Sequence, residues 1–127
     1  TYTVRDVNKN DTFEVFFKKD PIVWPLINIV WNVDSIYVEH EDGSISHYKE
    51  SDWTQDYSSN GSVTETEGGH SYTNKYYLDK VKLTIGVNDG VNTTVFKIEV
   101  LNENKMILSW KNGVEKWYLI YSNLRYK

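Results

Sequence analysis

Two histidines and two glutamates have the types and spacings that hold metals or move protons. His40 and His47 flank Asp42-Gly43, a pair that favours a two-residue hairpin turn. That turn pairs Tyr37 with Tyr48, Val38 with His47 and His40 with Ile45. The imidazoles then fall on one face as diagonal neighbours, close enough to share a zinc ion. A zinc site needs three or four placed ligands, however. Glu39 and Glu41 point to the other face, and His70 lies far along the chain. No metal and no other cofactor is expected. Glu65 and Glu67 suggest glycoside hydrolysis, which needs two carboxylates about 5–10 Å apart across a cleft. Here both belong to one Gly- and Thr-rich stretch and read as solvated. The chain has no Gly-x-Ser-x-Gly elbow, phosphate-binding glycine loop or His-Glu-x-x-His motif. It has no cysteine, hence no thiol nucleophile and no disulfide. The expectation is a protein that is not an enzyme.

What remains is recognition. Five Trp, ten Tyr and four Phe make the chain 15% aromatic. Strand propensity accounts for part of this, and binding surfaces are enriched in the same residues. Trp53, Tyr57 and Tyr72 stand in a polar stretch with no alternation to place them in a core. They read as the mouth of a ligand site, or as rings that fold back to cap a barrel end.

The elements that must position these side chains are strands. Val81, Leu83, Ile85 and Val87 alternate with polar or small residues, as a half-buried strand does. Asn88-Asp89-Gly90 turns the chain, and Phe96, Ile98 and Val100 resume the alternation against Lys97 and Glu99. Asn102–Lys105 makes the next turn. Asn112-Gly113 is the preferred pair of a type I′ turn. With that turn Trp110 faces Glu115, Leu108 faces Trp117 and Met106 faces Leu119. Met106, Leu108, Trp110, Trp117, Leu119 and Tyr121 then share one core face. Phe13, Val15 and Phe17 read as a strand, and Tyr2 and Val4 as a weaker one, within an N-terminal extension over 1–25. Asp20-Pro21 has the form of a helix start and Pro25 stops any helix nearby, so at most one short helix is expected. Residues 51–74, with Gly68-Gly69 and many Ser, Thr, Asn and Asp, read as one long polar loop.

One domain over 1–127 follows from the length. Sequential hairpins with almost no helix predict an all-β fold, an up-and-down antiparallel β-barrel of about eight strands, with a β-sandwich as the alternative. Fourteen Lys and Arg against eighteen Asp and Glu, a net charge of −4, offer no footprint for a phosphate backbone, so nucleic acid is not an expected partner. The apolar run Ile22–Val33 is broken by Pro25, Asn28 and Asn32 and is too short to span a bilayer. The sequons at Asn10, Asn60 and Asn92 read as chance in a chain rich in Asn, Ser and Thr. A start at Thr1 rather than Met suggests a removed upstream segment, as in an exported protein or a lipoprotein.

From Val81 onward the chain resembles the small lipocalin-like domains of bacterial exported proteins of the Bacteroidetes type. Their I-x-x-L-x-x-x-x-L-x-L run reads here Ile98-Glu99-Val100-Leu101-Asn102-Glu103-Asn104-Lys105-Met106-Ile107-Leu108, followed by the aromatic strand Trp117-Tyr118-Leu119-Ile120-Tyr121. Trp31-Asn32-Val33-Asp34-Ser35-Ile36 stands where such families have a Trp-bearing first strand. The chain departs from the pattern in having no glycine before Trp31, and in residues 1–25, which precede the family's usual start. The resemblance implies a barrel, export and a lumen with or without a small ligand. The expected function is a non-catalytic binding module holding a small apolar or amphipathic ligand. Phe96, Trp110 and Trp117 would line its walls, with Trp53, Tyr57 and Tyr72 at the mouth. The alternatives are a carbohydrate-binding sandwich with exposed aromatics, or a filled-core scaffold for a protein partner the residues do not identify.

Overall fold

The computed structural model describes residues 20–127. Among them one short helix, α1 (Val23–Asn28), precedes nine strands. These are β1 (Ile29–Glu39), β2 (Ile45–Lys49), β3 (Trp53–Tyr57), β4 (Ser62–Glu67), β5 (His70–Asp79), β6 (Thr84–Asn88), β7 (Thr93–Leu101), β8 (Lys105–Asn112) and β9 (Glu115–Tyr126). All neighbouring strands are antiparallel, and β1 pairs with β9 from Ile29↔Tyr126 to Glu39↔Lys116. That pairing joins the two ends of the meander, so the fold is a closed eight-stranded barrel with one extra strand rather than a sandwich. The extra strand is β2. The first half of β1 pairs with β3 and the second half with β2, so β2 and β3 lie end to end beside one long strand. The break between them falls at Glu50–Asp52, where Asp52 takes φ +58°.

The expected strands at Tyr2, Val4, Phe13, Val15 and Phe17 and the sequon at Asn10 lie outside the described residues. The end of the expected extension is helical, not extended. Asp20 Oδ1 accepts the N–H groups of Ile22 and Val23 at 2.9 and 2.8 Å, capping the turn that leads into α1. Pro25 falls in the first helical turn, where a missing N–H breaks no helical bond. Leu26 is wholly buried, so α1 closes one end of the barrel, the floor.

The stretch over 51–74 is not a loop. It contains β3, β4 and the start of β5, joined by turns at Ser58–Gly61 and Gly68-Gly69. Both latter glycines have positive φ (60° and 84°), as a two-residue I′ turn requires. The alternation is present but its inward members include Gln55 and Glu65, so an apolar period does not reveal it. Thr and Ser pairs bind the strands from outside, Thr64 to Thr73 at 3.0 Å and Thr66 to Ser71 at 2.7 Å.

Three other expectations are corrected. Val81 and Leu83 do not belong to a strand. Asp79 Oδ1 accepts the N–H groups of Val81 and Lys82, making a turn that leaves Val81 94% exposed; β6 starts at Thr84. Val100 leaves the inward face because β7 bulges between Ile98 and Val100, which brings Leu101 opposite Met106 instead. Both hairpin registers also differ. Asp42-Gly43 belongs to a three-residue loop with Gly43 at φ +88°, so Tyr37 pairs with His47 and Glu39 with Ile45. At the last hairpin the loop is Gly113-Val114, with Gly113 at φ +67°, and Trp110 pairs with Trp117, Leu108 with Leu119 and Met106 with Tyr121. That shift is two residues, so the core face itself is the expected one.

The floor half of the barrel is solidly filled. Leu26, Ile29, Trp31, Val33, Ile85, Ile98, Met106, Leu108 and Tyr121 pack there. Trp31 is fully buried, and its indole Nε1 is the one buried side-chain polar atom without a hydrogen-bond partner among the described residues.

Candidate functional site

The other half of the barrel is not filled. Toward the hairpin ends at His40–Ser44 and Gly113-Val114, inward side chains surround a cavity of about 260 Å³. Tyr57, Leu119 and Tyr121 form its base, and Ile36, Val87 and Phe96 its walls. Trp53, Trp110 and Trp117 surround it as half-buried rings, and Gln55 and Glu65 are the other polar side chains that reach it. Their positions follow from strand parity. Trp53, Gln55 and Tyr57 alternate inward along β3, and Trp110 and Trp117 face one another across the last hairpin.

The wall beside Trp110 is held by rings where the ladder stops. Hydrogen-bonded pairing between β7 and β8 ends at Lys97↔Ser109. The next residue on each strand, Phe96 and Trp110, meets the other edge-to-face, with centroids 5.6 Å apart at 69°. Trp110 then leans on Trp117 at 5.1 Å. Such pairs prefer tilted or T-shaped geometry, and here they span a gap that backbone bonding leaves open.

The polar side of the cavity is one connected chain. Tyr57 donates its hydroxyl to Gln55 Oε1 at 3.0 Å. Gln55 Nε2 donates to Glu65 Oε2 at 3.1 Å, and Trp53 Nε1 donates to the same oxygen at 2.5 Å. Burial pushes the Tyr57 phenol far above its usual range, and the nearby Glu65 carboxylate and Tyr76 add to that. Tyr121 is raised for the same leading reason, burial, with Tyr57 and Glu65 contributing. Tyr72 lies opposite Glu65 across β4 and β5; partial burial and the Glu65 and Glu67 carboxylates raise its pKa too.

The barrel thus brings Trp53, Tyr57, Phe96, Trp110 and Trp117 to one cavity. Tyr57 is not at the mouth as expected but in the base, 1% exposed and edge-to-face with Tyr76. Tyr72 is 48% exposed and sits beside the cavity without lining it. The reading of Glu65 as a solvated loop residue is corrected: it is inward on β4, while Glu67 on the same strand is exposed. Gln55, Glu65, Leu119 and Tyr121 were not expected in the site. Parity from Trp53 and Tyr57 would have found Gln55, but nothing in the sequence marks β4 as a strand with an inward carboxylate. The histidines part company. His40 bonds Glu115 through Nδ1 at 2.9 Å and Ser46 through Nε2 at 2.7 Å, whereas His47 stacks on Tyr37. Among the described residues no group of three or more His, Asp or Glu side chains is placed to hold a metal ion.

A second concavity, an open groove of about 540 Å³ on the outer face, has Tyr37, Ile45, Ile107, Tyr118 and Ile120 along it. The chain matches no protein-family model, no curated protein and no solved structure.

Proposed function

We propose that this barrel is a non-catalytic, lipocalin-like binding module that takes a small apolar or amphipathic ligand into its lumen. The observation that supports it is the convergence of Trp53, Phe96, Trp110 and Trp117 on one cavity at the end opposite α1. Ligand sites are concave, largely apolar and furnished with a few placed polar groups. The cavity of about 260 Å³ holds the equivalent of about nine waters at about 30 Å³ each, so the ligand is a single ring system or a short chain. Glu65 is the only carboxylate among the lining residues, which leaves acid–base chemistry without its second group. Export, as a bacterial secreted protein or lipoprotein, accompanies this reading and rests on the resemblance from Val81 onward.

The glycan-platform alternative is weakened because the tryptophans turn into a closed barrel rather than lying flat on an outer sheet. The apolar outer groove favours the remaining alternative, a scaffold for a protein partner. One titration separates lumen from groove. In an NMR titration with p-cresol, benzyl alcohol and cyclohexanol, the Trp53, Trp110 and Trp117 indole N–H signals should shift while Trp31 stays in place. Val87→Phe, which fills the cavity, should abolish those shifts. Shifts confined to the Tyr37, Tyr118 and Ile120 region, or none with any probe, would remove the lumen reading.

A further inference from the structure

We infer that the lumen site selects a small organic cation, an ammonium group carried on an aromatic or aliphatic body of about ten heavy atoms. This inference rests on the lumen being a ligand site. Glu65 is the only charged side chain among the residues lining the cavity. Trp53 and Gln55 both donate to its Oε2, so this oxygen serves purely as an acceptor. Among the described residues the ion pairs use Asp20, Asp56, Glu99 and Glu115, and none uses Glu65. Glu65 is half-buried in a largely apolar pocket, where a counter-charge interacts with it more strongly than at an open surface. The walls supply no cation, so a cationic ligand is the group that would meet it.

The aromatic rings select the same chemistry. Trp53, Phe96, Trp110 and Trp117 surround the space with π faces and edges, and indole faces are the strongest of the natural cation–π partners. An ammonium placed between Glu65 and these rings gains a charge-assisted contact on one side and ring quadrupoles on the other. An anion of the same size would meet Glu65 at short range. Attraction between the ligand's positive charge and Glu65 is stronger here than at an open surface, because the surrounding rings lower the local dielectric.

The test is a calorimetric series with near-isosteric probes at pH 7: benzylammonium, benzyltrimethylammonium, benzyl alcohol and benzoate. The expected result is that at least one of the cations binds about tenfold or more tighter than benzyl alcohol, with benzoate weakest. Glu65→Gln keeps an acceptor for Trp53 and Gln55 and should bring the cation-to-alcohol ratio to within about threefold, since the charge-assisted part of the contact is lost. Raising NaCl on the wild-type protein should weaken the cations more than the alcohol, which checks the charge without any substitution. If the alcohol or benzoate binds as tightly as the cations, the cation inference is wrong while the lumen reading stands. If none of the four binds, the lumen reading itself fails.

Discussion

Tyr57 and Tyr121 set the alkaline limit of this fold. Both phenols are almost completely buried, and burial raises both pKa values. In the unfolded chain a tyrosine ionises near pH 10. Between that value and the raised folded pKa, the folded state keeps protons that the unfolded chain has released. The stability that these two phenols contribute is therefore whole below about pH 10 and falls as pH rises beyond it. Thermal unfolding followed from pH 8 to pH 12 should show that decline. Tyr57→Phe should make the decline shallower, at a cost near neutrality of about 1 kcal/mol for its hydrogen bond to Gln55. A variant that declines as steeply as the wild type would show that Tyr57 is not part of the cause. At this scale the sequence was only partly readable. Trp110, Trp117 and Phe96 sit on apolar alternation and could be placed. Tyr57 could be named but not positioned, and Glu65 could not be placed, because a carboxylate facing inward contradicts the pattern used to find inward faces.

At the scale of elements, α1 is short and depends on Asp20. Its carboxylate is held down to about 2, first by the Val23 N–H, then by the Lys80 side chain and the Ile22 N–H. Lys80 Nζ lies 2.9 Å from Oδ2, so this residue also ties the floor helix to the β5–β6 turn. A depressed carboxyl pKa stabilises the fold above the unfolded value of about 3.9, and that contribution is lost as pH falls toward about 2. Asp20→Ala should cost about 0.5–2 kcal/mol at pH 7, as lost caps do, and the gap to wild type should narrow in melts at pH 2. A gap unchanged by acid would mean the loss comes from packing rather than from the charged cap. The hairpins show what was legible among the elements. Strand faces could be read because a face depends only on parity, and a shift of two residues at Gly113 preserves it. Registers could not, because Asn112-Gly113 and Gly113-Val114 are both acceptable turns and only the pairing of Trp110 with Trp117 separates them. At Asp42-Gly43 the shift is one residue, which is why the two histidines did not meet.

At the scale of the whole molecule, closure and access are built into different parts of the wall. The seam between β1 and β9 runs the length of both strands, from the filled floor at Ile29 to the cavity at Ile36, Trp117 and Leu119. It joins Ile29 to Tyr126 across nearly the whole described chain, a non-local pairing of the kind that makes barrels slow to fold. Around the cavity the ladders are incomplete. β5 meets β6 only from Lys75 onward, which leaves His70–Asn74 paired to β4 alone, and β7 leaves β8 above Lys97. The closed barrel was legible from successive hairpins, but these gaps were not, because they depend on how far each strand outruns its neighbour. They predict a gradient of local stability, since segments with few buried apolar contacts and unpaired edges open first. In hydrogen exchange, the amides of Val30–Val33 and Leu119–Tyr121 should exchange most slowly, on the scale of global unfolding. Those of Thr66–Tyr72 and Thr93–Val95 should exchange well before them. A ligand in the lumen should slow exchange most next to Glu65 and Phe96, the lining residues that adjoin the second group, because the first group already exchanges near the limit of global unfolding. Uniform protection around the barrel would mean that these gaps are as rigid as the seam, and that a ligand must reach the lumen past the half-buried tryptophans alone.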